Sequence, residues 1–428
     1  MLKDFGLRTA DDPNAPIESS VNSRWIKDNI HPIRSFTAEV FSDLQFLKEI
    51  LQDKRIVQLG ESSHGVREFN YSKVRLIKFL HQEMNFNVIA FESSAFACYA
   101  TNKRIRAEEI SSVSAMRNGI FDVWHTQEVS ELFNYILKTY QTDRPLILAG
   151  FDVQLFNFFG PKERSQLLFD IVATVDSSYA ASIYHVDSTH YQYRQHLNDQ
   201  FFKYLENNQE TVSKAYHILA EYLLKNQNAI MDKYVGSDID FFVALQVAYS
   251  IPIDLIQIDF FVSDPVKSFS ERDKGMAKNF EILAKSIYPD EKIVVWAHNY
   301  HVQHDLASVR TGTALEGSIS MGSFLHESYR DELYTIGFFM YEGTAAFNDR
   351  SVYEILPHAS GSLESIFYRA RKRVAFLNVE GRKIEIGNEW LFNYTQTLDW
   401  GLVPIQLVFS RNYDGLFFIR NVNPPEYL

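Results

Sequence analysis

One cysteine, Cys98, is all that the 428 residues contain, so no disulfide can close within the chain and no metal cage can be built from thiolates alone. That usage fits a reducing cytoplasm, the expected location. Basic residues are scarce too: 42 Lys and Arg stand against 54 Asp and Glu, a formal net charge of -12. A chain short of positive charge does not displace phosphate counterions and is repelled by anionic lipid. Neither nucleic acid nor a membrane is therefore an expected partner. The start, Met1-Leu2-Lys3-Asp4-Phe5-Gly6, has no apolar run behind a basic residue, and no signal peptide is expected. Long apolar runs are also missing. The richest stretch, Ile239 to Val262, is broken by Asp240, Gln246, Pro252, Asp254 and Asp259, which would be costly in lipid, and it reads as a buried helix or helix pair. No fixed-period repeat, low-complexity tract or Pro/Gly-rich linker marks off independent domains. Neither glycine-rich phosphate-binding pattern, G-x-x-x-x-G-K-[ST] or G-x-G-x-x-G, occurs.

What is present belongs to an ordinary globular enzyme, with 46% hydrophobic and 22% charged residues. Arg55 to Gly60 reads as a short buried strand. A helical pattern precedes it (Phe41, Leu44, Leu47, Ile50, Leu51), and a second follows (Val74, Leu76, Ile77, Phe79, Leu80) before another buried strand at Asn87 to Glu92. Strand, helix and strand within so few residues make a parallel βαβ unit. Further strands are predicted at Pro145 to Asp152 and Lys292 to His298. Later apolar runs at Leu333 to Tyr341, Val374 to Val379 and Leu416 to Ile419 complete the set, with antiparallel members possible among them. Helical patterns fill the stretch from Arg164 to Lys233. The expected organisation is an α/β core from residues 1–160 and 250–428, with a mixed, mostly parallel sheet, and a helical subdomain inserted at 161–249.

Ligands of parallel sheets gather beyond the carboxyl ends of the strands. Four such ends deliver acid or imidazole: Glu61 and His64 in Gly60-Glu61-Ser62-Ser63-His64-Gly65, then Glu92, then Asp152, then His298-Asn299-Tyr300-His301. Imidazole can take a proton from water near neutral pH while a carboxylate fixes its tautomer, help worth about 100- to 10,000-fold. A second histidine or an arginine can then stabilise the oxyanion. The G-x-S-x-G serine elbow fails at its last glycine, where His64 stands, and no motif supports Cys98 as a nucleophile. A divalent metal held by Glu61, His64, His298 and His301 is the competing reading, although the helical H-E-x-x-H signature is absent.

At these residues the chain resembles the erythromycin esterase family. The resemblance is carried by Val57 to Gly65 with Glu68-Phe69, by Phe91-Glu92, by Gly150-Phe151-Asp152 and by Trp296 to His301, with fainter echoes at Glu271-Arg272-Asp273 and Ser320-Met321-Gly322. It implies a three-layer α/β/α core with a helical part beside the active-site cleft. It also implies hydrolysis of a carboxylic ester or macrolactone, with His64 as the base that activates water and Glu61, Glu92, His298 and His301 in the same site. Known macrolide-hydrolysing members carry arginine where this chain has Lys73, which keeps the charge but lacks the two-pronged fork. Lys73, Arg272, Asp152 and Asn299 are expected to contact a small-molecule ester or lactone, and no cofactor is expected to be required. The alternatives are a divalent-metal hydrolase using the same side chains, or a haem- or small-molecule-binding protein without catalysis. The sequence carries no indication of oligomeric state.

Overall fold

The computed structural model describes residues 20–155, 161–194 and 198–428. The chain divides into two compact units, one made of residues to 89, 122–146 and 292–428, the other of 90–121 and 147–291. The strands in chain order are β1 (His31–Pro32), β2 (Ile56–Leu59), β3 (Phe86–Ser94), β4 (Ile147–Asp152), β5 (Lys292–Trp296), β6 (Leu333–Ala346), β7 (Val352–Ile355), β8 (Val374–Asn378), β9 (Thr395–Asp399), β10 (Val403–Leu407) and β11 (Gly415–Val422). All seven predicted strands are among them, in the expected α/β class with a mixed, mostly parallel sheet.

In the first unit the sheet order is β1-β8-β11-β6-β2-β5 and then the start of β3, with β7 on β6. β2 runs parallel to both β5 and β6, and β11 parallel to β6, while β8 is antiparallel to β11. Every residue of β2 is buried, as are the last four of β5. These are the continuous apolar strands expected of a parallel sheet covered on both faces. Between β2 and β3 runs the helix Arg67–Met84, closed by Asn85 in the left-handed region that asparagine tolerates at a helix end. It buries Phe69, Ile77 and Leu80 on one stripe, and Lys73 lies on that same stripe. The helix predicted from Phe41 to Leu51 shrinks to Leu47–Ile50. A spacing of three is the repeat of tight turns, and Leu44 N donates to Phe41 O and Leu47 N to Leu44 O. β9 and β10 form a separate antiparallel hairpin.

The second unit holds the end of β3, β4 beside it, and a set of helices. Serine, asparagine or aspartate caps begin several of them, including Ser94, Ser111, Asn198, Ser237 and Asp264. The unit is larger than the expected 161–249 insertion. The apolar stretch forms one helix, Asp238–Phe260, which runs through the anticipated boundary and packs on the helix Pro265–Ile282. That helix is long and apolar enough to cross a membrane by length and composition, but 72% of its most apolar window is buried.

Two buried ion pairs, Arg164–Asp187 and Arg194–Asp254, stand among these helices. His190 is buried beside them, and among the described residues neither ring nitrogen has a hydrogen-bond partner. Burial and the neighbouring Arg164 push its pKa down from 6.5 to about 4. A base whose folded pKa is depressed stabilises the fold while neutral. The contribution is whole above pH 6.5 and is lost as the pH falls toward 4, up to about 3 kcal/mol. His190→Leu is expected to flatten the acid side of the stability curve, losing about 1–3 kcal/mol less than wild type between pH 7 and 4.5 in urea titrations. Equal losses would show that His190 does not report acid unfolding.

Candidate active site

Register sets the first-unit site. Leu59 pairs with Trp296 across parallel β2 and β5, so the residues that follow emerge side by side. Ala297 N donates to Leu59 O at 3.2 Å and Asn299 N to Glu61 O at 2.8 Å. Gly60 is required by this closeness, since a Cβ there would lie 2.1 Å from Asn299 Oδ1. A Cβ on Gly65 would lie 2.0 Å from the Ala346 carbonyl oxygen. The loop carrying Glu61 and His64 is thus clamped at one end by the Asn299 side chain and at the other by the Ala346 backbone, neither of which leaves room for a Cβ.

Glu61 is fully buried and saturated with donors. Its Oε1 accepts from His64 Nδ1 at 2.7 Å and from the Trp124 indole at 2.8 Å, and its Oε2 from Lys73 Nζ at 2.6 Å. Burial pushes the Glu61 carboxyl up, but Lys73 and His64 outweigh it and hold the group below the ordinary glutamate range. A carboxylate can only accept, so in the neutral ring the hydrogen sits on His64 Nδ1 and the lone pair on Nε2. The His64 side chain is 13% exposed and packs edge-on to Trp124 and Trp400 at 5.1 and 5.5 Å.

His298 stands beside it, ring centroids 5.0 Å apart. Its Nδ1 accepts from Tyr300 N at 3.2 Å, capping the short helix Asn299–Val302, which leaves the hydrogen of the neutral ring on Nε2. That atom lies 3.8 Å from Asp399 Oδ1. His301 is buried on the same short helix and acts electrostatically on Asp399. Sequence reasoning missed Trp124, Asp399 and Trp400. Trp124 sits in a three-residue turn, 63 positions from its partner Glu61, where no local pattern points to it. Asp399 ends β9, so the strand-end rule that found the other acids would have found it had β9 been recognised.

Several expected substrate contacts are otherwise engaged. Lys73 is wholly enclosed, its ammonium 4.6 Å above the Trp296 ring and also donating to Ala297 O. The lysine steers Glu61 and offers no surface to a ligand. Asn299 exchanges both amide hydrogen bonds with the Phe338 backbone. In the second unit, Arg272 spans the ends of two strands, bonding Glu92 Oε1 at 2.9 Å and both oxygens of Asp152. Burial lowers the guanidinium pKa, but Asp152 and Glu92 raise it further, so the charge is permanent. Its fork is taken up by two carboxylates.

Three other chemistries can be weighed on the same geometry. Ser63 is buried with its hydroxyl paired to Tyr353 at 3.2 Å, and Ser62 is buried as well; among the described residues neither is bonded to an imidazole. Cys98 is buried against Gly119 O, and burial pushes its thiol pKa up, the reverse of what a nucleophile needs. Among the described residues no group of three or more His, Cys, Asp or Glu is placed to hold a metal ion. Glu61, the acid of the candidate metal set, already directs both oxygens at N–H donors.

The erythromycin esterase family profile matches residues 81–422. YbfO of Bacillus subtilis (strain 168), which carries a provisional hydrolase name, is 29% identical over 96% of this chain and 93% of its own. Erythromycin esterase type I of Escherichia coli is 24% identical over 69% of this chain and 73% of its own. A Bacillus cereus protein of known crystal structure superposes with a TM-score of 0.81 at 18% identity, over 96% of this chain and all of that one. The chain belongs to the erythromycin esterase family.

Proposed function

We propose that the protein is a hydrolase that cleaves a small-molecule carboxylic ester or macrolactone by attack of water activated at His64. One observation carries the reading: Glu61, fixed by Lys73 and Trp124, holds His64 Nδ1 at 2.7 Å and so presents Nε2 as the proton acceptor. Water loses its proton to Nε2 as its oxygen bonds to the carbonyl carbon. Of the two histidines that could support the charge developing on the carbonyl oxygen, His301 is assigned that role. Glu92, in the second unit, has one oxygen fixed by Arg272 and has no step in this mechanism. Lys73 acts through Glu61 as a positioning residue. No metal is required, since the base is generated by a carboxylate–imidazole pair.

Family membership and the named relatives support ester hydrolysis of the macrolide class as the reaction to test first. Incubated with erythromycin and with simple aryl esters, the wild type is expected to yield products heavier in sum by one water, with or without chelator. Mass spectrometry of the mixtures reads this directly. Products lost on chelation and restored by a divalent ion would replace the mechanism with the metal one. No product from any ester would overturn the hydrolase reading.

A further inference from the structure

We propose that Asp399 and His298 form a second carboxyl–imidazole pair, which delivers a proton to the departing alcohol oxygen while the Glu61–His64 pair removes one from water. The proposal rests on the esterase reading above and assigns a residue outside every motif that suggested that reading.

The hairpin β9–β10 is built to aim Asp399. Asp399 pairs with Val403 at its closed end, and the next residue, Trp400, takes a left-handed backbone conformation, φ 56°. For a tryptophan that conformation costs about 1–2 kcal/mol, and it persists because the turn is tied down. Trp400 N donates to Ser62 O at 2.8 Å, Tyr353 donates to the Trp400 carbonyl at 2.9 Å, and the indole stacks on His298 at 5.7 Å. The turn is therefore fastened to the Glu61–His64 loop on one side and to His298 on the other. The His298 nitrogen that carries the hydrogen is the one facing Asp399, at 3.8 Å.

The two carboxyls of the site have opposite surroundings. Glu61 is enclosed with an ammonium against it. Asp399, its side chain 29% exposed, is faced by His64, His298 and His301, by the phenols of Tyr353 and Tyr413, and by the Trp400 backbone N–H. Burial pushes the Asp399 carboxyl up to about 7, against the lowering pull of that N–H, His64 and His301. One acid held ionised and another able to carry a proton near neutrality is the division that acid–base catalysis needs. The proton belongs to the Asp399–His298 pair rather than to either residue.

The step balances without a further reactant. Water's oxygen bonds to the carbonyl carbon as one of its protons passes to His64 Nε2. The bond from carbonyl carbon to alkoxy oxygen then breaks, and the alkoxide takes a proton from the Asp399–His298 pair. The pair regains a proton from solvent and His64 loses one to solvent, so ester and water become acid and alcohol.

A leaving-group series tests this, because a nitrophenoxide departs unaided and an alkoxide does not. Asp399→Asn is expected to lower kcat on alkyl esters and lactones about 100-fold while changing nitrophenyl esters less than about threefold, and Asp399→Glu to recover part of the loss. In the wild type, the rate on alkyl esters is expected to fall above about pH 7, with no such fall on nitrophenyl esters. That profile decides the matter even where a variant does not fold. Equal losses on both classes, no loss on alkyl esters, or identical pH limbs in the wild type would overturn the pair's role. If Asp399→Asn changes neither class while a His64 variant loses both, only this inference falls. A wild type that cleaves no ester removes the esterase reading and the inference together.

Discussion

Lys73→Met is expected to cost about 3–5 kcal/mol of stability, the usual result of deleting one partner of a buried ion pair. Lys73 and Glu61 are both fully enclosed and 2.6 Å apart. The deletion leaves a carboxylate in a place where burial alone pushes its pKa up, so Glu61 takes a proton and ceases to be a pure acceptor. The pH dependence should change sign with it. In the wild type, the depressed Glu61 pKa contributes stability present above about pH 4.5 and lost as the pH falls. In the variant, a raised pKa contributes stability present at low pH and lost as the pH rises. Urea unfolding of the two proteins at pH 5 and 8 checks both the size and the sign. Adding Glu61→Gln to Lys73→Met should restore most of the stability, because two neutral side chains of similar volume replace the pair. A double variant no more stable than the single would mean that the pair is not what the site depends on.

That double variant is the source of the second large effect. Folded and of nearly native shape, it is expected to lose about 10³- to 10⁴-fold in kcat, with KM changed little. Glutamine can go on accepting from Trp124 and His64, but it is neutral and no longer stabilises the imidazolium formed when Nε2 receives water's proton. A defect of this kind lowers the rate without weakening the substrate complex. Steady-state kinetics on one alkyl and one aryl ester separates the cases. A rise in KM with kcat intact would make Glu61 and Lys73 part of substrate recognition.

Much of this was legible in the sequence, and the exceptions have physical reasons. The buried strands announce themselves because parallel strands covered on both faces are runs of apolar residues, and their carboxyl ends bring the Glu61–His64 pair up to His298. β9 and β10 read as neither strand nor helix: Thr395-Gln-Thr-Leu-Asp399 is polar at every position but Leu398, and Pro404 interrupts its partner. Asp399 and Trp400 went unnoticed with them. Lys73 was readable in principle. It falls four residues after Phe69 and four before Ile77, on the buried stripe of its helix, where a charge must be paired. Two structural arrangements lay beyond any local pattern. The Trp124 indole reaches Glu61 from a separate turn, and the second unit draws in residues 90–121 and 250–291 through packing between helices that sequence spacing does not encode.

The most direct test of the central claim is the kcat of His64→Asn on an ester that the wild type cleaves, measured on protein shown to be folded. His64 Nε2 is the proton acceptor in this mechanism, and asparagine can keep the bond to Glu61 but cannot take a proton. The expected result is a fall of about 100- to 10,000-fold in kcat, with unfolding little changed. Full activity in the folded variant would contradict the mechanism and place the base elsewhere.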